Sequence, residues 1–217
     1  MSRGRRLAGV GGIAFAASFV VGFTLFGPKG GHYSSVEVDR FVAQSSGALV
    51  ASICLFAVSS LGLIALMAYL SETCFGAGRR ARVTWAASLL TAASLLVGWG
   101  LYLVPSSSIN SGGPAIDPGI SYAFLNAGMG VLFGAGGVML GLALVTLAVA
   151  GRAISTWLRA FTGLVGLSAL STWAFLVALN WSPNQWLPGP FYLVILWGLV
   201  MGTWLLVTSS TVGETDA

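Results

Sequence analysis

The ten basic and six acidic side chains of this chain all fall outside six long apolar stretches, at about residues 7–27, 47–70, 84–104, 121–150, 160–180 and 191–208. An α-helix needs roughly 17–25 apolar residues to cross a bilayer core, and each stretch is of that length or longer. A backbone in hydrocarbon has to satisfy its own N–H and C=O groups, so such segments form helices rather than isolated strands. The pattern predicts an all-α fold: a polytopic membrane bundle of six transmembrane helices, with residues 1–217 as a single transmembrane domain. Composition agrees, because 56% of the residues are hydrophobic and 7% are charged, whereas soluble domains carry about 25% charge. The connections between spans are too short to hold a separate soluble domain.

The placement of the basic residues sets an expected orientation. Arg3, Arg5 and Arg6 precede the first span, Arg79, Arg80 and Arg82 precede the third, and Arg152 and Arg159 flank the connection between the fourth and fifth. The opposite face holds only Lys29 and Arg40. Short loops rich in Lys and Arg stay cytoplasmic, so both termini are expected inside, with connections 28–46, 105–120 and 181–190 outside. The formal charge of +4 is thereby a topology signal, and nucleic-acid binding is not expected. A cleaved signal peptide is the competing reading of Arg3–Arg6 and Ala14-Phe15-Ala16. The apolar run continues to Phe26, longer than the roughly 7–15 residues of such a peptide, so the first span reads as a retained anchor.

Tryptophan supports this layout, since indoles favour the membrane boundary. Trp85 and Trp157 fall at the inner boundary, Trp181 and Trp186 at the outer one, and Trp173 and Trp197 in mid-span. Helix association in lipid depends on close backbone approach through small residues. The 30 glycines offer Gly130/Gly134, Gly137/Gly141 and Gly198/Gly202 at that spacing, together with Ala14/Ser18/Gly22 and Thr84/Ser88/Ala92. The fourth span is the densest in glycine and is expected at the centre of the bundle, and Gly198/Gly202 offers an oligomerisation seam. All seven prolines lie in connections or at span ends, which predicts continuous and rather straight helices.

Ligand arithmetic argues against a bound metal or haem. The chain has one histidine, His32, in an outer loop, whereas bis-histidine haem needs two imidazoles and catalytic zinc commonly three protein ligands. The cysteines, Cys54 and Cys74, are separated by about 30 Å along one helix and cannot bridge. No cofactor and no metal is therefore expected.

Candidate site residues converge on the outer face. Ser34-x-x-Glu37 has the form of a capping box, placing Glu37, Arg40 and Gln44 on one helical face, with Asp39 beside them. Ser106–Pro118 is rich in turn formers and ends in Asp117-Pro118, a helix-start signal. Tyr122 and Asn126 follow on one face, and Asn126 reads as a buried amide needing a partner. Glu37, Asp39 and Asp117 are the candidate catalytic acids, and Tyr122, Asn126, Trp99, Trp181 and Trp186 the candidate ligand-binding residues. Each also has a plain structural explanation in a surface pair, a cap or a helix contact.

The Arg-Arg-Leu-Ala-Gly opening of span one, the loop ending Tyr33…Glu37-Val38-Asp39-Arg40, and Trp157-Leu158-Arg159 before span five resemble the uncharacterised six-span membrane proteins common in actinobacteria. That resemblance implies a bacterial plasma membrane, and it assigns no activity and no functional residue.

Three function classes fit these features. The first is a non-catalytic protein that packs with lipid, with itself as a homo-oligomer or with a membrane partner. The second is a transporter or channel for a neutral or lipophilic molecule, although the chain lacks the internal repeats and interrupted helices common in transporters. The third is an enzyme acting on a lipid or isoprenoid at the outer leaflet, where an acid protonates the substrate and aromatic faces stabilise the cation.

Overall fold

In a computed structural model of the protein, the described residues are 2–25, 40, 44, 46–110, 117–151, 153–178 and 189–208. Within the helices, the side chains of 46, 102–110, 118, 121, 122, 125, 173–178 and 189 lie outside the description. Described secondary structure is entirely helical: α1 (Arg3–Leu25), α2 (Ser46–Phe75), α3 (Arg79–Asn110), α4 (Pro118–Met129), a π-helical turn (Gly130–Ala135), α5 (Gly136–Ala150), α6 (Thr156–Ala178) and α7 (Gly189–Val207). Five of these stretches are long and apolar enough to cross a membrane: Arg3–Leu25, Gly47–Phe75, Arg79–Leu101, Asn126–Ala150 and Pro190–Val207.

The helices form a ring in chain order. α1 packs on α2, α2 on α3, α3 on α4, the π-turn and α5, α5 on α6, α6 on α7, and α7 returns onto α1. α2 and α5 also touch across the ring. The fourth apolar stretch is therefore one wall of the ring rather than its centre, although its span, at 56% buried, is the most buried of the five.

Glycine decides four of the six contacts. At α1/α2 a Cβ on Gly11 would lie 2.8 Å from the Gly62 carbonyl oxygen, and one on Gly62 would lie 2.5 Å from that of Gly11. At α1/α7 a Cβ on Gly12 would meet the Gly198 oxygen at 2.8 Å, and one on Gly202 the Gly9 oxygen at 2.7 Å. Gly98 and Gly128 make the same reciprocal approach at α3/α4, and Gly141 lies against Gly166 at α5/α6. These helices pack backbone on backbone, the close approach that substitutes for a hydrophobic driving force in lipid. Gly198 and Gly202 are thus occupied within the chain by α1, whereas Gly130 has open space around it and forms no seam.

Buried hydroxyls add directional contacts. Ser52 and Ser59 of α2 donate to the Gly22 and Phe15 oxygens of α1 at 2.8 and 2.9 Å. The Trp197 indole donates to Thr162 Oγ1 at 3.0 Å, joining α7 to α6. Trp197 is fully buried, so this mid-span tryptophan is a packing residue.

Two sequence expectations about helix continuity are corrected. α3 continues through Pro105 to Asn110, so residues 106–110 are helical rather than a turn; a proline removes one intrahelical hydrogen bond, and the helix here continues past that loss. The fourth stretch is not a continuous α-helix, because the π-turn interrupts it and the Gly136 N–H donates to the Val131 oxygen, five residues back. A π-turn takes up one residue more than an α-turn and rotates the preceding segment by roughly 100°.

Candidate functional site

The π-turn determines which side chains α4 turns inward. In an uninterrupted α-helix Asn126 would share a face with the fully buried Leu144, about five turns away. The extra residue rotates Asn126 outward, where it is exposed, and turns Gly128 inward against Gly98. The expectation of a buried Asn126 amide is therefore corrected, and the cause is the register change in the π-turn. Tyr122 lies four residues earlier on α4, with its side chain outside the description.

Asp117 is the N-cap of α4. Its carboxylate accepts from the Gly119 N–H at 2.7 Å, and Pro118 occupies the first helical position. This is the arrangement that Asp-Pro favours, a side-chain acceptor for an orphan N–H followed by a residue lacking one. Asp117 is exposed, and its described partner is its own helix. Glu37, Asp39, Trp181 and Trp186 lie outside the described residues.

Trp99, by contrast, occupies the core. It is 2% exposed and stacks face to face on Phe56, with ring centroids 3.7 Å apart and planes within 3°. From there a series of ring contacts crosses the bundle. Phe56 meets Phe19 at 5.4 Å edge to face, Phe19 meets Phe191 at 5.9 Å, and Phe191 meets Phe133 at 4.6 Å edge to face. Phe15 and Phe23 extend the series along α1. The five linked rings come from α3, α2, α1, α7 and the π-turn, and all are buried. Edge-to-face and offset pairs of this kind contribute about 0.5–1.5 kcal/mol each beyond their area.

The aromatic series lies far from the arginines. Trp99 is about 30 Å along α3 from Arg79, and Phe191 is in the first turn of α7, at the end that α4 enters through its Asp117 cap. Its chemistry is that of an apolar, π-rich interior, whose ring faces are of the kind that attract a cation. No described carboxylate lies among these rings. Only Trp99 among them is recognisable in the sequence as a candidate. The others are phenylalanines of four different spans in an apolar background, and their meeting emerges only when the helices are set in register.

The opposite end carries the polar contacts. Arg5 donates through Nε to the Leu205 oxygen at 3.1 Å and through its guanidinium to Thr208 Oγ1, while its charge lies 5.7 Å from the centre of the Trp204 ring. Arg159 donates to the Ala148 and Val149 oxygens at 3.0 and 3.1 Å. Both arginines thereby satisfy the last carbonyls of a helix, where its dipole favours a cation. Ser71 of α2 reaches the Ala81 oxygen of α3 at 3.4 Å at the same end.

Among the described residues, no group of three or more His, Cys, Asp or Glu is placed to hold a metal ion. The chain matches no family model, no curated protein and no solved structure.

Proposed function

We propose that the protein is a six-span component of a bacterial plasma membrane, with both termini cytoplasmic, that acts without catalysis by binding lipid or a partner protein. The observation that carries this reading is the division between interior and surface. Glycine seams and aromatic rings are turned inward, and all the described arginines except Arg40 gather at one end. The outer faces of the helices carry large apolar side chains, including Leu61, Val149, Leu164 and Leu167, which suits contact with acyl chains or another membrane helix. By the preference of basic residues for the cytoplasmic side, the arginine end is the inner one.

Native mass spectrometry of the protein, gently extracted from its own membrane, tests the reading. Retained phospholipid or a stoichiometric protein partner is the expected result. A retained small molecule without either would overturn it in favour of transport or catalysis. Orientation is checked separately with a cysteine at Thr156, which should react with an impermeant thiol reagent only from the cytoplasmic side.

The aromatic series favours a second reading, an enzyme for a lipid or isoprenoid at the outer leaflet. Glu37, Asp39 and Asp117 are then its candidate acids. Asp117→Asn keeps a side-chain cap acceptor and removes the acid. Under this reading Asp117→Asn or Glu37→Gln abolishes turnover in a folded protein, and full activity in both removes these two acids from the candidates.

A further inference from the structure

Seven described arginines lie at the inner end of the ring, and they divide into two groups. Arg5 and Arg159 are engaged with helix carbonyls, as described above. Arg3, Arg6, Arg79, Arg80 and Arg82 are exposed, and their guanidinium groups make no hydrogen bond or ion pair among the described residues. The contacts Arg5–Leu205, Ser71–Ala81 and Arg159–Ala148 tie α1 to α7, α2 to α3 and α6 to α5 at this end of the ring.

Among the described residues, that surface has little acidic compensation. Glu72 is the one described acid near it, and it is exposed without a described ion-pair partner. The first turns of α1 and α3 contain no acidic residue, although the positive end of each helix dipole is located there. Arginine and dipole therefore add with the same sign, and an anion is favoured there. Planar guanidinium forks match phosphate oxygens in bidentate geometry.

We infer that this arginine surface binds the headgroups of anionic phospholipids, with Arg79, Arg80 and Arg82 as principal contacts and Arg3 and Arg6 completing the basic face. The inference rests on the membrane reading above and names the lipid class. A lipid phosphate suits the surface better than a soluble polyanion because the arginines run directly into exposed apolar residues. Leu7 follows Arg6 at 65% exposure and Val83 follows Arg82 at 51%, while Trp157 at the same end is 60% exposed. Guanidinium and apolar surface thus adjoin in sequence at the starts of α1 and α3. Clusters of basic residues flanking membrane helices attract anionic lipid.

The test reconstitutes the full chain into phosphatidylethanolamine–phosphatidylglycerol vesicles and compares motionally restricted spin-labelled phosphatidylglycerol with spin-labelled phosphatidylcholine. Wild type should hold phosphatidylglycerol several-fold more strongly, and high salt should weaken that preference. The triple variant Arg79→Gln/Arg80→Gln/Arg82→Gln should bring the two labels close to parity, whereas Arg159→Gln should leave the preference intact. Equal restriction of both labels by wild type overturns the proposal, as does a triple variant that keeps the full preference. If the triple variant does not fold, the salt titration of wild type decides, and a preference indifferent to salt counts against the arginines. A protein that restricts neither label has failed to enter the bilayer, and in that case the membrane reading itself falls.

Discussion

The two ends of the helical ring are held together by different physics. At the arginine end, long polar side chains reach helix-terminal carbonyls: Arg5 to Leu205 and Arg159 to Ala148 and Val149. At the other end, five buried rings touch in series from Trp99 to Phe133. Contacts of the first kind are local, partly exposed and replaceable by water. Those of the second are shared, since Phe19 alone touches Phe15, Phe23, Phe56 and Phe191. A substitution at the arginine end should therefore stay where it is made, whereas one in the aromatic series should spread to several helices.

The largest expected effect is Phe19→Ala, which removes the ring joining α1, α2 and α7. Large-to-small substitutions of buried phenylalanine cost about 3–5 kcal/mol, to be measured as a loss of unfolding free energy in mixed micelles. A loss below about 1 kcal/mol would show that the rings do not pack as one unit. Gly128→Leu should follow, because a side chain there meets the Gly98 carbonyl oxygen, and overpacking of this kind costs about 1–3 kcal/mol. Thermal unfolding of Gly128→Leu beside Gly130→Leu sharpens the point, since Gly130 has open space around it and its substitution should be much milder.

Deleting one residue from the π-turn, Ala135, tests the register argument. Straightening the helix should return Asn126 to the buried face, so a cysteine at 126 should change from reactive to protected against a lipid-soluble thiol reagent. Unchanged labelling would mean that the turn does not set the register of α4. The smallest effect is expected from Arg5→Gln, which loses a helix-terminal charge contact and a cation–π contact. That should lower stability by less than about 1.5 kcal/mol, without disturbing the fluorescence of Trp99 at the far end. A shift in Trp99 emission would contradict the separation of the two ends.

Much of the helical arrangement is legible in the chain alone, for the reason that hydrocarbon excludes charge. The gaps between charged residues delimit the apolar helices, Asp117-Pro118 marks the start of α4, and the arginines mark one end of the ring. The candidate site is far less legible. Asn126 reads as buried because a regular helix is assumed, and one extra residue in a turn reverses its face. Trp99 is visible as an aromatic residue near a span end, but its partners Phe56, Phe19, Phe191 and Phe133 have no common spacing in the chain. Gly198/Gly202 shows in the sequence as a seam with an open choice of partner, and α1 takes it through Gly9 and Gly12.

What the sequence determined by itself was therefore the helical class, the apolar segments and the gathering of arginine at one end. These follow from solvation, which acts on each segment according to its own composition. Tertiary structure decided the closure of α7 onto α1, the position of the fourth stretch in the wall, the outward face of Asn126 and the aromatic series. Those features depend on which glycine surfaces approach one another and on the rotational phase of each helix. Phase is set by contacts between segments and by a single-residue insertion in a turn, and neither changes the composition from which the segments were read.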